Sequence, residues 1–572
     1  MPSRLALLTS PTGDVRRLSW STPVVAPTIA SLAYLAYAIW LTWPMPTHLT
    51  DAVWGPGGDV VGNLTGYREL AQHAFPFLPG RIESFAAPEG LDVNYPFHVA
   101  TWPSSLLMYL GSLVFGAVVT MNLLVLSGFV LTGTATMLLV RRQTGDAWAG
   151  GVAGWAAAFS LSNVFNAVSA PDFVHLWVIV LLVWRAIVVQ EAPTRRNGLL
   201  LGAAAVVAVS WNPYFLLMGT VAFAALAAAT LLVASFDGTF GAHVRSLAWA
   251  VLVLVAAAVV YGTVTATAEH TGVRERALGE VYLYSARPEE FLDPPPSSRI
   301  LGWLDLPASR TGVTTTFYLG LTVLTLALVA CVAAARRGAR PRLRADVVSL
   351  VLLAAAALVW SMPPTLAVGG VTIRFPASFV GEVTTTWRIY GRFGLIVGLA
   401  VCLLAGIGLA RLRATPRAGL RAAVLVAAAV LVFLDVRGAR YAITSFSPEP
   451  PIYATLRTQP AGAVAEYPLI PSTAGPYDQL YRQEFHHRRL LNGYDPGTAA
   501  ERRALTLTRL DDRTARRLAK LGIRYVLLQR NREVPVGLAP PGTPTRAYRE
   551  IARDDQYTLY RVAGAPAAPA AD

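Results

Sequence analysis

The sequence predicts a mainly α-helical, polytopic membrane bundle that ends in a small α/β domain outside the membrane. Three observations carry this. The chain of 572 residues is 54% hydrophobic and only 14% charged, with mean hydropathy +0.47, whereas a soluble protein carries about 25% charged residues. Apolar runs close to the roughly 20 residues needed to span a bilayer recur eleven times. After residue 436 the pattern changes to short strand-like and helix-like segments rich in polar residues. A soluble, disordered or fibrous chain is excluded by the first observation alone.

The net charge of +14 and pI near 10.0 would suggest nucleic acid in a soluble protein. Here the cations are almost all arginine, with Lys520 the only lysine, and many lie in short loops between apolar runs. That distribution orients helices. Cys331 and Cys402 lie inside apolar runs, so neither a disulfide framework nor a cysteine metal site is expected.

The spans are read at 24–45, 119–140, 147–168, 173–190, 198–214, 215–236, 246–265, 316–335, 347–362, 392–410 and 421–436. With the N-terminus (1–23) in the cytoplasm, the inside loops hold Arg141–Arg142, Arg195–Arg196, Arg245, the cluster Arg336–Arg344 and the cluster Arg411–Arg421. The short outside connections near 170 and 213 contain no Lys or Arg, as the positive-inside rule requires. An odd number of spans puts the C-terminus outside. The expected domains are a transmembrane domain, 24–436, with outer loops 46–118, 266–315 and 363–391, and an extracytoplasmic α/β domain, 437–562. The tail 563–572 is Ala/Pro-rich and expected to be disordered. No internal repeat is found, which speaks against an inverted-repeat transporter.

Within the last domain a strand is expected near Ala463–Tyr467, helices near 476–486 and 499–521, and a strand over Arg524–Leu528, with Gly522 stopping the second helix. A hairpin turning at Arg553-Asp554-Asp555-Gln556 should follow.

Candidate chemistry concentrates in the outer connections. The first loop opens Gly55-Pro56-Gly57-Gly58-Asp59, and Val60, Leu64, Tyr67, Ala71 and Phe75 then recur at helical spacing. An amphipathic helix on the membrane surface is expected, with Asp59 at its start, Asn63 one turn on and His73 near its far end. Asp59 can cap the helix, and it can also act as a carboxylate base toward an acceptor hydroxyl. The roles are compatible. In Ala170-Pro171-Asp172-Phe173-Val174-His175, the spacing puts Asp172 and His175 on one face of the helix that follows. Asp172 is either a first-turn acid favoured by the helix dipole or a second carboxylate across a cavity. Arg388 and Arg392 lie one helical turn apart at the outer mouth of a span. There they meet lipid headgroups or recognise a specific phosphate. Trp211-Asn212-Pro213-Tyr214 reads as part of the interfacial aromatic belt. The adjacent His486 and His487 point to opposite sides and do not share a metal.

The order of these parts resembles the GT-C superfamily of membrane glycosyltransferases, and more narrowly the YfhO-like and related bacterial integral membrane proteins. The resemblance lies in Gly58, Asp59, Asn63 and His73 of the first loop and in Phe291-Leu292-Asp293-Pro294 followed by Tyr318-Leu319-Gly320. It extends to Arg388 with Arg392, to Asn492-Gly493-Tyr494, and to Leu521–Val526. Two departures stand out. Thr314, Thr315 and Thr316 replace an acid often found before the Tyr-Leu-Gly, and Asp172 or His175 stands where a histidine is often found.

The resemblance implies a GT-C-like bundle and transfer, on the outer face, from a polyprenyl-phosphate sugar donor to an envelope glycan, lipid or protein acceptor. Read on these residues, Asp59 and Asp172 are the candidate catalytic carboxylates, and Asn63, His73, His175, Arg388 and Arg392 the candidate substrate-binding residues. No organic cofactor is expected; a divalent cation, Mg2+ or Mn2+, is a candidate helper at the leaving phosphate. No nucleic-acid partner is expected. The rival is a non-catalytic protein of the plasma membrane that exports or assembles envelope polysaccharide or lipid. Such a protein would need polar residues through the spans, and the polar residues crowd the outer loops instead.

Overall fold

A computed structural model of the chain describes residues 24–73, 81–92, 101–266, 278–295, 317–385, 387–413, 418–446, 449–471, 477–494, 498–535 and 538–566. Each apolar run becomes helix, with breaks where the sequence carries a cap or a proline. The run at 147–168 splits into Ala147–Phe159 and Leu161–Ser169 at Ser160, whose hydroxyl accepts from the Asn163 N–H. The run at 173–190 begins as a 3-10 turn, Pro171–Val174, before Trp177–Glu191. Arg195–Val209 and Pro213–Phe236 are separated at Ser210–Asn212, where the Asn212 side chain caps Tyr214.

Among the described helices, six are long and apolar enough to cross a membrane, and the others are shorter. The chain is a multi-pass membrane protein. The Gly394–Arg413 helix is its centre: Ile396, Ala400 and Leu403 are fully buried between neighbouring helices.

The outer loop 46–118 holds an apolar helix that the span reading does not anticipate, Trp102–Phe115. Leu110, Leu113 and Val114 cover its outward face. Its inner face is tied to the bundle by Ser104, whose hydroxyl donates to the Trp211 carbonyl (2.9 Å).

Asp59–His73 is helical, as its spacing predicts. Its environment differs from a membrane surface, because protein covers it on two sides. Val60 and Leu64 pack against Met108, Met121 and Leu124 of the bundle. On the other side Gly62 lies under Tyr477, where a Cβ would come within 2.5 Å of the ring. Arg68, 5% exposed, pairs with Glu69 and reaches Glu484 and the Tyr481 carbonyl of the C-terminal domain. A cation between two acids requires protein, not lipid, around it.

The C-terminal domain matches the expectation closely. Its four-stranded sheet runs Ala463–Tyr467, Ile523–Gln529, Tyr557–Val562, Tyr548–Arg553, in that spatial order. The first pair is parallel and the others antiparallel. Helices Tyr477–Tyr481, Gln483–His486, Ala499–Leu505 and Asp512–Lys520 connect them. Residues 567–572 of the expected tail lie outside the described residues. The Asn-Gly-Tyr motif now has a physical meaning. Asn492 accepts from the Glu466 N–H (2.9 Å) and donates to its carbonyl (2.8 Å), while its own carbonyl accepts from Ala86 (2.9 Å). The motif therefore stitches the first outer loop onto the sheet.

The Tyr-Leu-Gly motif is likewise structural. Tyr318 donates to Asp435 (2.6 Å), and the other carboxylate oxygen accepts from the Thr322 N–H (2.8 Å) at the start of the Leu321–Ala335 helix.

His486 is buried and stacks on Tyr453 with ring centroids 5.7 Å apart. Its Nδ1 accepts from the Arg488 N–H (3.0 Å). Burial, with the neighbouring Arg488 charge, pushes its pKa down to about 3. The neutral ring therefore stabilises the fold fully above pH 6.5, and that stability is lost as pH falls from 6.5 toward 3. By pH 5 the loss is about 2 kcal/mol. His486→Asn, which keeps an acceptor near the position of Nδ1, is expected to flatten the fall in melting temperature between pH 7 and pH 5. Equal slopes in wild type and variant would remove His486 as a source of acid sensitivity.

Candidate functional site

Two interruptions of the bundle meet. The 3-10 turn Pro171–Val174 is held by proline at its start and by the His175 N–H bonded to the Asp172 carbonyl (3.3 Å). Beside it lies the Ser210–Asn212 break. Phe173 packs on Phe215 (5.5 Å between ring centroids) and Tyr214 (6.0 Å), and His175 packs on Trp211 (4.9 Å). Trp211 is 2% exposed. The expectation of a lipid-facing aromatic belt at 211–214 is therefore corrected. These rings face inward because Asn212 turns the chain and Pro213 starts the next helix there.

Arg392 enters the same place. Its guanidinium carbon lies 4.3 Å from the Phe173 ring centre and 4.2 Å from that of Tyr214. Two aromatic faces thus grip the guanidinium, which stacks well because it is planar and weakly hydrated. The Trp387 indole donates to the Pro213 carbonyl (3.4 Å), holding the 387–392 strap against this break.

Arg388 is placed differently. It pairs with Glu280 and lies over the Tyr284 ring (5.1 Å). With the Gly391 N–H bonded to the Tyr284 carbonyl (2.9 Å), it fastens the strap to the Leu278–Leu283 helix. Its charge is already compensated by a carboxylate. The two arginines therefore differ in kind, which their equivalent spacing in the sequence does not reveal.

Asp172 is 4% exposed and immediately precedes Phe173 beneath Arg392. Asp172 and His175 do not lie in the helix that follows, which begins at Trp177; they are joined across the 3-10 turn. The Trp177 indole donates to His175 Nδ1 (3.0 Å), so in the neutral ring Nε2 carries the proton. Gly128 lies against that edge, where a Cβ would come within 3.1 Å of Nε2. His175 is thus wedged between Trp177, Trp211 and Gly128 as a packed core residue.

The first-loop turn comes to the same region by its backbone. Gly55 has φ +114°, and a Cβ there would lie 2.9 Å from the Val168 carbonyl oxygen. Only glycine combines that φ with that approach. The turn is pinned further by Gly55 N–H to Ala442 O (2.9 Å) and by Thr444 Oγ1 donating to Gly55 O (2.7 Å). Asp59 follows four residues later in the chain, and Asp172 four residues after Val168. The helix begins at Asp59 itself, with the Val61 and Gly62 N–H groups both bonded to Gly58 O. Asp59 thus takes the first helical position and not the cap. Asn63, half-buried, lies one turn on. His73 ends this 15-residue helix, about 20 Å from Asp59 along the axis. The structure does not bring Asp59 and His73 together.

Two helices begin here, at Trp177 and Pro213, and their first N–H groups are bonded to Thr132 and Asn212. Among the described residues no three His, Cys, Asp or Glu side chains come together. Sequence reasoning missed Tyr214, Trp211 and Glu280; the Trp-Asn-Pro-Tyr interruption itself was the available signal.

A family model described as "Domain of unknown function (DUF6311)" matches residues 31–437, and the chain belongs to that family. No curated protein matches the sequence. Among solved structures it is similar to the oligosaccharyltransferase AglB from Archaeoglobus fulgidus, in complex with an inhibitory peptide and a dolichol-phosphate. Identity there is 11% over 88% of this chain and 69% of that one, with TM-score 0.44. It is also similar to ArnT from Cupriavidus metallidurans bound to undecaprenyl phosphate, at 14% identity over 96% and 99% of the two chains, with TM-score 0.42. Likenesses at this level leave the functional reading to the site itself.

Proposed function

We propose that the protein is a GT-C-like membrane glycosyltransferase. It moves a sugar from a polyprenyl-phosphate donor to an extracytoplasmic acceptor, an envelope glycan, lipid or protein. The observation that carries this reading is Arg392 gripped between Phe173 and Tyr214, with the buried Asp172 next to Phe173 in the chain. In this reading the Arg392 fork holds the donor phosphate. The acceptor hydroxyl attacks the anomeric carbon from the opposite face, and Asp59 or Asp172 takes its proton. The bond from the anomeric carbon to the phosphate oxygen breaks, and polyprenyl phosphate leaves with the electron pair, stabilised by Arg392. The product is inverted at that carbon. Asn63 is assigned to acceptor contact. Arg388 acts as a positioning residue through the strap.

The arginine distribution supports eleven spans in the plasma membrane, a cytoplasmic N-terminus and an extracytoplasmic C-terminal domain. Kinship with the YfhO-like proteins rests on the short motifs quoted above.

The test is binding and turnover of a panel of polyprenyl-phosphate sugars. Arg392→Ala is expected to weaken donor binding about 10- to 100-fold, since hydrogen bonds to charged groups contribute about 1.5–3 kcal/mol. Arg392→Lys should recover little, because an ammonium neither stacks as a plane nor forks. Arg388→Ala should cost less. Unchanged donor binding in Arg392→Ala, with folding intact, would reduce Arg392 to packing. If the wild type turns over no donor in the panel, the non-catalytic export or assembly reading gains.

A further inference from the structure

The segment that leads from the Pro341–Ser361 helix toward Arg388 is not a simple loop. It forms a two-stranded hairpin, Thr365–Val368 with Val371–Arg374, paired in register from Thr365↔Arg374 to Val368↔Val371. Its turn is Gly369-Gly370, with φ of 57° and 84°, the left-handed pair that a two-residue hairpin turn requires. The second strand and the tip of the first are exposed, and only Thr365 and Leu366 at the root are half-buried. Val368 and Val371, flanking the turn, are 53% and 64% exposed. Ile373, Phe379 and Val383 continue the exposed apolar surface. A lone hairpin with both faces in water is marginally stable, so this one needs a cover.

We propose that the hairpin is a membrane-seated element, with its valine tip and Phe379 lying in the bilayer leaflet on the side of the candidate site. Four features favour lipid as the occupant. The hairpin begins four residues after Ser361, the last residue of a candidate membrane span. Strands of four residues reach only about 14 Å, so the tip stays within range of the interfacial layer. Val359, in the last turn of that span, is an exposed apolar residue, as are the hairpin's valines. Finally, the only nearby hairpin cation, Arg374, lies over the Phe379 ring (4.7 Å) and pairs with Glu382 at the base, away from the turn. That order, apolar tip and paired charges at the base, is the profile of an interfacial anchor.

The element is held rigidly at its root. The Phe375 N–H donates to the Pro364 carbonyl (3.0 Å), the Tyr282 and Thr365 hydroxyls bond (2.7 Å), and Ala377 is fully buried in the bundle core. The Tyr282 bond joins the hairpin to the helix that carries Glu280, the partner of Arg388. The depth of the tip in the leaflet therefore sets the height of the strap above the membrane.

The test uses the full chain with Cys331 and Cys402 replaced by Ala. Single cysteines at Val371 or Val368 carry an NBD fluorophore, and the protein is reconstituted in phosphatidylcholine/phosphatidylglycerol nanodiscs. Arg516→Cys, on an exposed face of the C-terminal domain, is the water-facing control. At Val371 and Val368 the emission should shift to the blue. Doxyl-labelled lipid should quench it at least twofold, and iodide should quench it several-fold less than at position 516. Strong iodide quenching without lipid quenching would overturn the proposal by showing a tip in water. Protection from both quenchers would also overturn it, because a second copy of the chain or another protein would then cover the hairpin. The positions are exposed, and a monodisperse elution profile of each labelled variant checks that it folds.

Discussion

Asp59→Asn is expected to abolish sugar transfer while leaving the protein folded. Asparagine in the first helical turn loses only the favourable contact between a charge and the helix dipole, about 0.3–1 kcal/mol. A general base that can no longer accept a proton loses about 10²- to 10⁴-fold in rate. Asp172→Asn separates the two acids. Asp172 lies directly beneath the residue that stacks on Arg392, so if Asp172 is the base its variant shows the larger loss and Asp59→Asn the smaller. The measurement is transfer of radiolabelled sugar from a polyprenyl-phosphate donor in membranes, with melting temperature in detergent as the folding control. Full activity in both variants on a donor the wild type uses would exclude both carboxylates and send the search for a base elsewhere in the outer loops.

Arg68→Ala is expected to loosen the C-terminal domain from the bundle. The guanidinium touches Glu69, which is 0% exposed, and reaches Gln483, Glu484 and the Tyr481 carbonyl across the junction. Removing one partner of a buried pair costs about 3–5 kcal/mol, because the remaining charge stays buried without compensation. The fall should appear in thermal unfolding and as faster proteolysis in the 437–446 connection. Arg68→Lys should recover part of the loss, since it keeps the charge and not the fork. An unchanged melting temperature and proteolysis rate in Arg68→Ala would show that the junction is held by apolar packing and the stitched loop at 84–87 alone.

The parts legible in the sequence are those fixed by local pattern. Long apolar runs became helices, Gly522 closed its helix with φ 73°, and the short apolar segments expected as strands at Ala463–Tyr467 and Arg524–Leu528 became a parallel pair. The parts that were not legible depend on contacts distant in sequence. Trp211 and Tyr214 have the composition of a lipid belt, and only their distant contacts, His175 and Trp177 on the one and Phe173 and Arg392 on the other, show that they face inward. Arg388 and Arg392 look equivalent one turn apart, yet Arg388 pairs with Glu280, 108 residues earlier in the chain, while Arg392 stacks on Phe173 and Tyr214. The Asp59–His73 stripe fits a membrane surface equally well until Tyr477 and Glu484 cover its second side. The hairpin at 365–374 does alternate, with Leu366, Val368, Val371 and Ile373 on one face and Thr365, Ala367, Thr372 and Arg374 on the other, but four-residue strands inside an expected loop give too short a pattern to read as a sheet.

Residues 52–68 are clamped at both ends by the part of the chain that leads into and forms the C-terminal domain. Ala52–Trp54 pairs with Ile443–Ser445, the strand leaving the last membrane helix, and Arg68 is gripped by the domain itself. Between these two fixings lie the glycine turn and Asp59. The helical part, about 14 Å from Asp59 to Arg68, is stiff, so a shift of the C-terminal domain against the bundle has to be taken up in the Gly55–Gly58 turn, where each glycine, but not Pro56, has φ above zero.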